Sequence, residues 1–197
     1  MKIAIDGNIG SGKSTLMKEL SSVLSSVALF PEPVERWTLL SSFYNDKERF
    51  ALSFSLQVLT SIGSNNIFPN DLIMERSPLT AKQVFTKSLA DKGIMGLEEF
   101  SIYCKVYDVL GWKPDVIIYI DTPVETCFER INRRNRKGEN GKIDMSYLYN
   151  LEEYYKTMLS DAIQQDIIVL SIDGSQSKTE VLNQCIGFIK RLYGVMS

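Results

Sequence analysis

Ile3-Ala4-Ile5-Asp6 leads into Gly7-Asn8-Ile9-Gly10-Ser11-Gly12-Lys13-Ser14-Thr15, and this opening decides the fold. An apolar run passes into G-x-x-x-x-G-K-S. Leu16, Leu20, Val23, Leu24 and Val27 then follow at helical spacing, so a helix is predicted over Lys13 to Val27. Strand, glycine-rich turn and helix N-terminus together form a phosphate site. Glycines let successive backbone N–H groups converge on phosphate oxygens, Lys13 reaches the β- and γ-phosphates, and the Ser14 hydroxyl can ligate Mg²⁺. Residues Gly7 to Thr15 are therefore the candidate nucleotide-binding residues.

Beyond the loop, apolar runs recur at Ala28 to Phe30, Leu72 to Met74, Val116 to Ile120 and Ile167 to Ile172, with gaps long enough for crossover helices. This alternation predicts an α/β fold with a mainly parallel five-stranded sheet. A further helix is predicted over Ser146 to Ile163, with Leu148, Leu151, Tyr155, Met158 and Leu159 as a core-facing stripe. No repeat or linker divides the chain, so residues 1–197 are expected to form one domain.

Composition narrows the function classes. A net charge of −2 argues against general nucleic-acid binding, and the longest apolar runs are too short to cross a bilayer. Cys104, Cys127 and Cys185 lack metal-site spacing and leave one cysteine over in any disulfide scheme, which fits a reducing compartment. There is no histidine, so acid–base chemistry falls to carboxylates, arginine, lysine and hydroxyls.

One segment departs from the acidic background. Arg130-Ile131-Asn132-Arg133-Arg134-Asn135-Arg136-Lys137-Gly138-Glu139-Asn140-Gly141-Lys142 holds four arginines and two lysines in thirteen residues. Arginine's planar fork binds phosphate oxygens bidentately, so a mobile lid closing over a transferring phosphoryl group is expected over about 130–142. A solvated helix end and an RNA contact are the other readings of the same charge.

Two clusters bear on the acceptor. Phe30-Pro31-Glu32-Pro33-Val34-Glu35-Arg36-Trp37 closes the second predicted strand and Met74-Glu75-Arg76-Ser77 the third. The carboxyl ends of parallel strands line the crevice where ligands bind, so Glu32, Glu75 and Arg76 are expected near Lys13. A carboxylate there can take the proton of an attacking hydroxyl, and an adjacent arginine can hold it ionised. That chemistry suits a kinase acting on an alcohol.

With these residues in view, the sequence resembles the deoxynucleoside kinase family. The resemblance rests on the loop Gly7 to Ser14, Glu32-Pro33-Val34-x-x-Trp37, Glu75-Arg76-Ser77, and the arginine-rich segment followed by Tyr147-Leu148-x-x-Leu151. It implies a three-layer P-loop kinase with an arginine-rich lid, transferring phosphate from ATP, with Mg²⁺, to a deoxynucleoside 5′-hydroxyl in nucleotide salvage. Carried over by position, Glu32 is the base with Arg76 beside it, and Lys13, Arg134 and Arg136 act on the phosphates, where Arg130 can join them. Tyr44 and Glu139 hold the 3′-hydroxyl. Trp37 and Phe85 wall the base pocket, and Glu75 helps Ser14 with the metal. The family's base-reading Gln stands eleven residues after the sugar-binding Tyr, where this chain has Ser55; Gln57, two residues further, is the expected reader if the helix carries an insertion, and Ser55 otherwise. The resemblance also implies a homodimer with a small-molecule deoxynucleoside as its partner. A cytoplasmic location is expected, with a mitochondrial one left open. A nucleoside monophosphate kinase would share the sheet and loop but needs cations where Glu32 stands. A nucleotide-dependent switch would have no use for the acidic, aromatic crevice.

Overall fold

The computed structural model describes residues 1–24, 27–63, 69–136, 139 and 141–194. Five parallel strands, β1 (Lys2–Asp6), β2 (Ala28–Phe30), β3 (Leu72–Glu75), β4 (Val116–Asp121) and β5 (Ile168–Asp173), form one sheet in the order β2-β3-β1-β4-β5. Ile3 is in register with Ile73 on one side and Val116 on the other. β1, β3 and β4 are covered on both faces, which is why they read as unbroken apolar runs rather than alternating ones. The helices are α1 (Lys13–Val23), α2 (Leu40–Asn45), α3 (Lys47–Ile62), α4 (Pro78–Thr80), α5 (Lys87–Asp91), α6 (Leu97–Leu110), α7 (Val124–Arg134), α8 (Met145–Gln164) and α9 (Lys178–Leu192). Between α4 and α5 the helix widens to π geometry over Ala81–Thr86.

The two faces of the sheet bury different sets. Ile3, Ile5 and Ile118 meet Leu16 and Leu20 of α1 and Val181 and Cys185 of α9. Ala4, Ile117 and Tyr119 meet Leu151, Tyr155 and Met158 of α8. The result is the three-layer architecture expected, with β1 in the middle and its carboxyl end aimed at the loop. α8 is fixed at its start by the Asp144 carboxylate, which accepts from the Tyr147 N–H at 2.7 Å.

One expected boundary is corrected. α1 stops at Val23, and Leu24 is extended (φ −111°, ψ 97°). Leu24 and Val27 still press on the core from outside the helix, so their apolar spacing reads as helix. In the arginine-rich segment, Arg130 to Arg134 form the last turns of α7, because Val124, Cys127 and Ile131 lie on one buried face and carry the helix that far. Asn135, at φ 48°, ends it in the left-handed region. Lys137, Gly138 and Asn140 lie outside the described residues.

Candidate active site

The loop after β1 curls around the N-terminus of α1. Gly10 takes φ +84°, and a Cβ there would lie 2.5 Å from the Cys127 carbonyl oxygen, so only glycine fits. Asn8 pins the loop to α8 by donating from Nδ2 to the Leu148 carbonyl at 2.9 Å. The Lys13 ammonium turns inward, donating to the carbonyls of Gly7 (2.9 Å) and Asn8 (2.7 Å). Burial pushes Lys13 down to about 8 and the Arg76 cation adds to this, against the opposing pull of Glu75, Glu32 and Asp6. Lys13, Glu32, Glu75 and Arg76 line one cavity, as the crevice argument requires.

Glu75, the last residue of β3, bridges the two sides. Its Oε1 accepts from the Ser14 hydroxyl at 2.6 Å and its Oε2 from the Glu32 backbone N–H at 3.3 Å. Among the described residues no group of three or more acidic, cysteine or histidine side chains is placed to hold a metal ion. Ser14 and Glu75 nevertheless fit Mg²⁺, because this hard cation keeps several waters and is bound by one or two protein oxygens together with substrate phosphates.

Arg76 follows Glu75 at φ 67°, a strained conformation for a non-glycine residue. Its Nε donates to Glu32 Oε1 at 2.6 Å, its Nη1 to the Tyr155 hydroxyl at 2.7 Å, and its plane lies 4.3 Å from the Phe85 ring centroid. Burial disfavours the Arg76 cation, yet Glu32, Tyr155 and Asp6 outweigh it, and the net shift is upward. Glu32 is thus held against a permanent cation, its side chain largely shielded from solvent.

A cavity of about 600 Å³ runs from the loop to this pair and on to an aromatic wall. Lys13, Glu32, Trp37, Tyr44, Ser55, Glu75, Arg76, Phe85, Arg130, Arg134, Arg136 and Glu139 all line it. Trp37 is fixed by donating from Nε1 to the Ser61 hydroxyl at 2.9 Å and by an edge contact with Phe54. Tyr44 stands beside Tyr147 and Glu139, and burial, with those neighbours, pushes its phenol well up. Gln57 is the expected residue that does not come. Its Oε1 accepts from the Leu39 N–H at 3.0 Å and its Nε2 donates to the Thr38 hydroxyl at 2.9 Å, so the amide is consumed in bracing the segment before α2. Two residues earlier on α3 the side chain turns about 200° around the axis, and it is Ser55 that faces the cavity.

At the end of α7 both expected phosphate-binding arginines are engaged. Arg134 and Arg136 pair with the two carboxylate oxygens of Glu139, a side chain only 6% exposed. Arg130 points elsewhere, donating to the carbonyls of Ser11 and Gly174, both at 3.1 Å, so it ties the loop to the segment after β5.

The sequence reading missed three groups. Tyr155 was a member of a core stripe, and its hydroxyl in fact also donates to the Gly7 carbonyl at 2.8 Å. Asp6 is fully buried, accepts from the Thr80 hydroxyl at 2.7 Å, and is pushed up by burial against the pull of Arg76. Its signal was available, since a carboxylate ending an apolar strand needs partners. Tyr147 lines the cavity, and burial raises its phenol to about 12.

A P-loop ending a central strand, a carboxylate–arginine pair across a cavity, and arginines at the rim define a P-loop phosphotransferase. The deoxynucleoside kinase family model matches residues 3–190. The chain belongs to the deoxynucleoside kinase family, and is an ATP-dependent kinase of deoxynucleosides. It is 36% identical to a putative kinase of Invertebrate iridescent virus 6 over 91% of each chain. It is 33% identical to the thymidine kinase of Ictalurid herpesvirus 1 (strain Auburn), over 95% of this chain and 85% of the relative. Among solved structures, a deoxyadenosine kinase from M. mycoides, with the products dCMP and a flexible dCDP bound, superimposes with a TM-score of 0.86 at 24% identity. That superposition covers 98% of this chain and 100% of the neighbour. Among the described residues no helix is long and apolar enough to cross a membrane.

Proposed function

We propose that Glu32 is the base that activates the 5′-hydroxyl, and the observation that carries this is its 2.6 Å contact with Arg76 in the cavity shared with the phosphate loop. The substrate oxygen attacks the γ-phosphorus of ATP as its proton passes to the Glu32 carboxylate. The new O–P bond forms while the bond from phosphorus to the β,γ-bridging oxygen breaks, and ADP leaves. Lys13 leaves the loop carbonyls to meet the phosphates, and Gly7 to Thr15 supply the cradle. Ser14 and Glu75, already joined at 2.6 Å, would hold Mg²⁺, which would supply counter-charge to the triphosphate when bound.

Arg134 and Arg136 stabilise the transferring group from a lid spanning about 130–142, and Glu139, with Tyr44, accepts the 3′-hydroxyl. In this reading Glu139 exchanges its two arginines for the sugar as the arginines turn to phosphate. Trp37 and Phe85 sandwich the base. Ser55 reads its edge, and a hydroxyl that rotates to donate or accept discriminates weakly between bases that swap donor for acceptor. One domain over 1–197 suffices for this. Ile102 and Val109, exposed on one face of α6, support a homodimer, the net charge of −2 supports no nucleic-acid partner, and free Cys104, Cys127 and Cys185 support the cytoplasm. ADP formation measured with each of the four deoxynucleosides, with dTMP and with no acceptor tests the reading. Turnover with dTMP but with no deoxynucleoside would replace it by a monophosphate kinase.

A further inference from the structure

Tyr155 sits in the middle of α8 with no exposed surface, and nothing in phosphoryl transfer requires a tyrosine there. Its ring is packed 5.4 Å from Tyr119 and edge-on to Phe85. A phenylalanine would fill that space as well. The hydroxyl does more than the packing needs, since it donates to the Gly7 carbonyl at 2.8 Å and accepts from Arg76 Nη1 at 2.7 Å. One oxygen therefore joins the phosphate loop to the arginine that holds Glu32.

The Gly7 carbonyl has a second donor, the Lys13 ammonium at 2.9 Å. Once Lys13 moves to phosphate, this carbonyl loses that donor. A buried acceptor left without a partner is costly, and the Tyr155 hydroxyl prevents that cost because it stays in place. Donating its one proton to Gly7 leaves the oxygen's lone pairs to Arg76, so the hydroxyl has a single orientation that serves both. As the Lys13 charge departs, the Gly7 carbonyl polarises the hydroxyl without competition, and the hydroxyl becomes a better acceptor for Arg76. In a low-dielectric interior such chains strengthen together.

We propose that Tyr155 is a positioning residue that couples the donor site to the acceptor site: it keeps the Gly7 carbonyl satisfied when Lys13 transfers to the phosphates, and holds Arg76, and through it Glu32, against the incoming hydroxyl. This rests on the roles proposed above for Lys13, Glu32 and Arg76. Binding of triphosphate and of deoxynucleoside are then linked, each raising the affinity for the other by the same factor.

The test compares wild type with Tyr155→Phe. The affinity of a non-hydrolysable ATP analogue is measured by calorimetry with and without a saturating deoxynucleoside, alongside kcat and both KM values. Wild type is expected to bind the analogue about fivefold or more tightly when the nucleoside is present, the lower end of ordinary coupling. In Tyr155→Phe that factor falls toward one and kcat falls about tenfold, and the buried Arg76 N–H left without its acceptor lowers the thermal midpoint without unfolding the enzyme. Should Tyr155→Phe not fold, 3-fluorotyrosine at position 155, which keeps the hydroxyl and weakens it as an acceptor, is measured in the same way and is expected to lower the factor. Independent binding in wild type, or wild-type coupling in the altered protein, overturns the proposal. Failure of the underlying reading is seen separately, as a wild-type enzyme whose activity survives Glu32→Gln.

Discussion

The phosphate loop and the acceptor wall are built on opposite plans. The loop is a contiguous run, Gly7 to Thr15, proposed to cradle phosphate mainly through backbone, with its glycines fixed by φ values and close approaches such as Gly10 against the Cys127 carbonyl. The acceptor wall is assembled from side chains delivered by β2, α2, α3, β3, the π segment and the end of α7, and its geometry depends on pairs such as Glu32–Arg76 and Arg134–Glu139. The contrast teaches that the donor side tolerates little change of backbone but asks for one cationic side chain. The acceptor side can be retuned residue by residue.

The largest effect should come where the loop does depend on a side chain. Lys13→Ala is expected to lower kcat by roughly 10³-fold or more, since single cations contribute on that scale in phosphoryl transfer. Near-wild-type turnover in the folded variant, measured by coupled ADP release, would erase the contrast between the two regions. Next, Glu32→Gln keeps the size of the side chain and a hydrogen bond to Arg76 but cannot take a proton, so kcat should fall about 10²- to 10⁴-fold with a smaller change in KM. A rise in KM alone would make Glu32 a binding group.

A smaller effect sharpens the acceptor side. A 2′,3′-dideoxynucleoside leaves Glu139 and Tyr44 unpaired, costing about 1 to 3 kcal/mol in kcat/KM. Glu139→Ala should abolish most of that penalty, and an unchanged penalty would remove Glu139 from the sugar site. The smallest effect is one of pH on the donor side. Burial holds Lys13 at about 8 in the nucleotide-free enzyme, so above that pH it must regain a proton to meet phosphate. Affinity for the ATP analogue should fall by up to about tenfold per pH unit above 8, with proton uptake on binding visible by calorimetry in buffers of different ionisation enthalpy. Lys13→Arg should flatten the dependence. The same depressed value has a stability consequence: the unfolded chain binds this proton between pH 8 and about 10.5 while the folded one does not, so the penalty from Lys13 shrinks as pH rises through that window.

The same contrast explains what was legible in the sequence. The five strands and the loop were readable because each is specified by neighbours in the chain. Glu32 and Arg76 were readable because strand ends converge on one crevice. Gln57 was misread because motif spacing carries no side-chain direction. At a helix step of about 100° per residue, a shift of two positions moved the amide from the cavity to Thr38 and Leu39. Tyr155 was hidden for the converse reason, since its apolar neighbours on α8 justify an aromatic residue without its hydroxyl, and the partners of that hydroxyl lie far off in sequence at Gly7 and Arg76. The charge of Arg130 to Arg134 fits a lid or a helix end alike, and only the buried stripe Val124, Cys127 and Ile131 carries α7 through them.

The π segment Ala81–Thr86 has a consequence for how such a site can diversify. It buries Ala81, Val84 and Thr86 and carries Phe85, whose ring lies 4.3 Å from the Arg76 guanidinium. A π turn holds one residue more than the α turn it replaces. Deleting a single residue within 81–86 should let the stretch revert to α geometry with the flanking turns kept in phase, moving the side chains inside the segment and shifting Phe85 on the guanidinium. Length variation by one codon, rather than any replacement of side chains, would thus reshape the wall proposed for the base in one step while leaving α4 and α5 as its abutments.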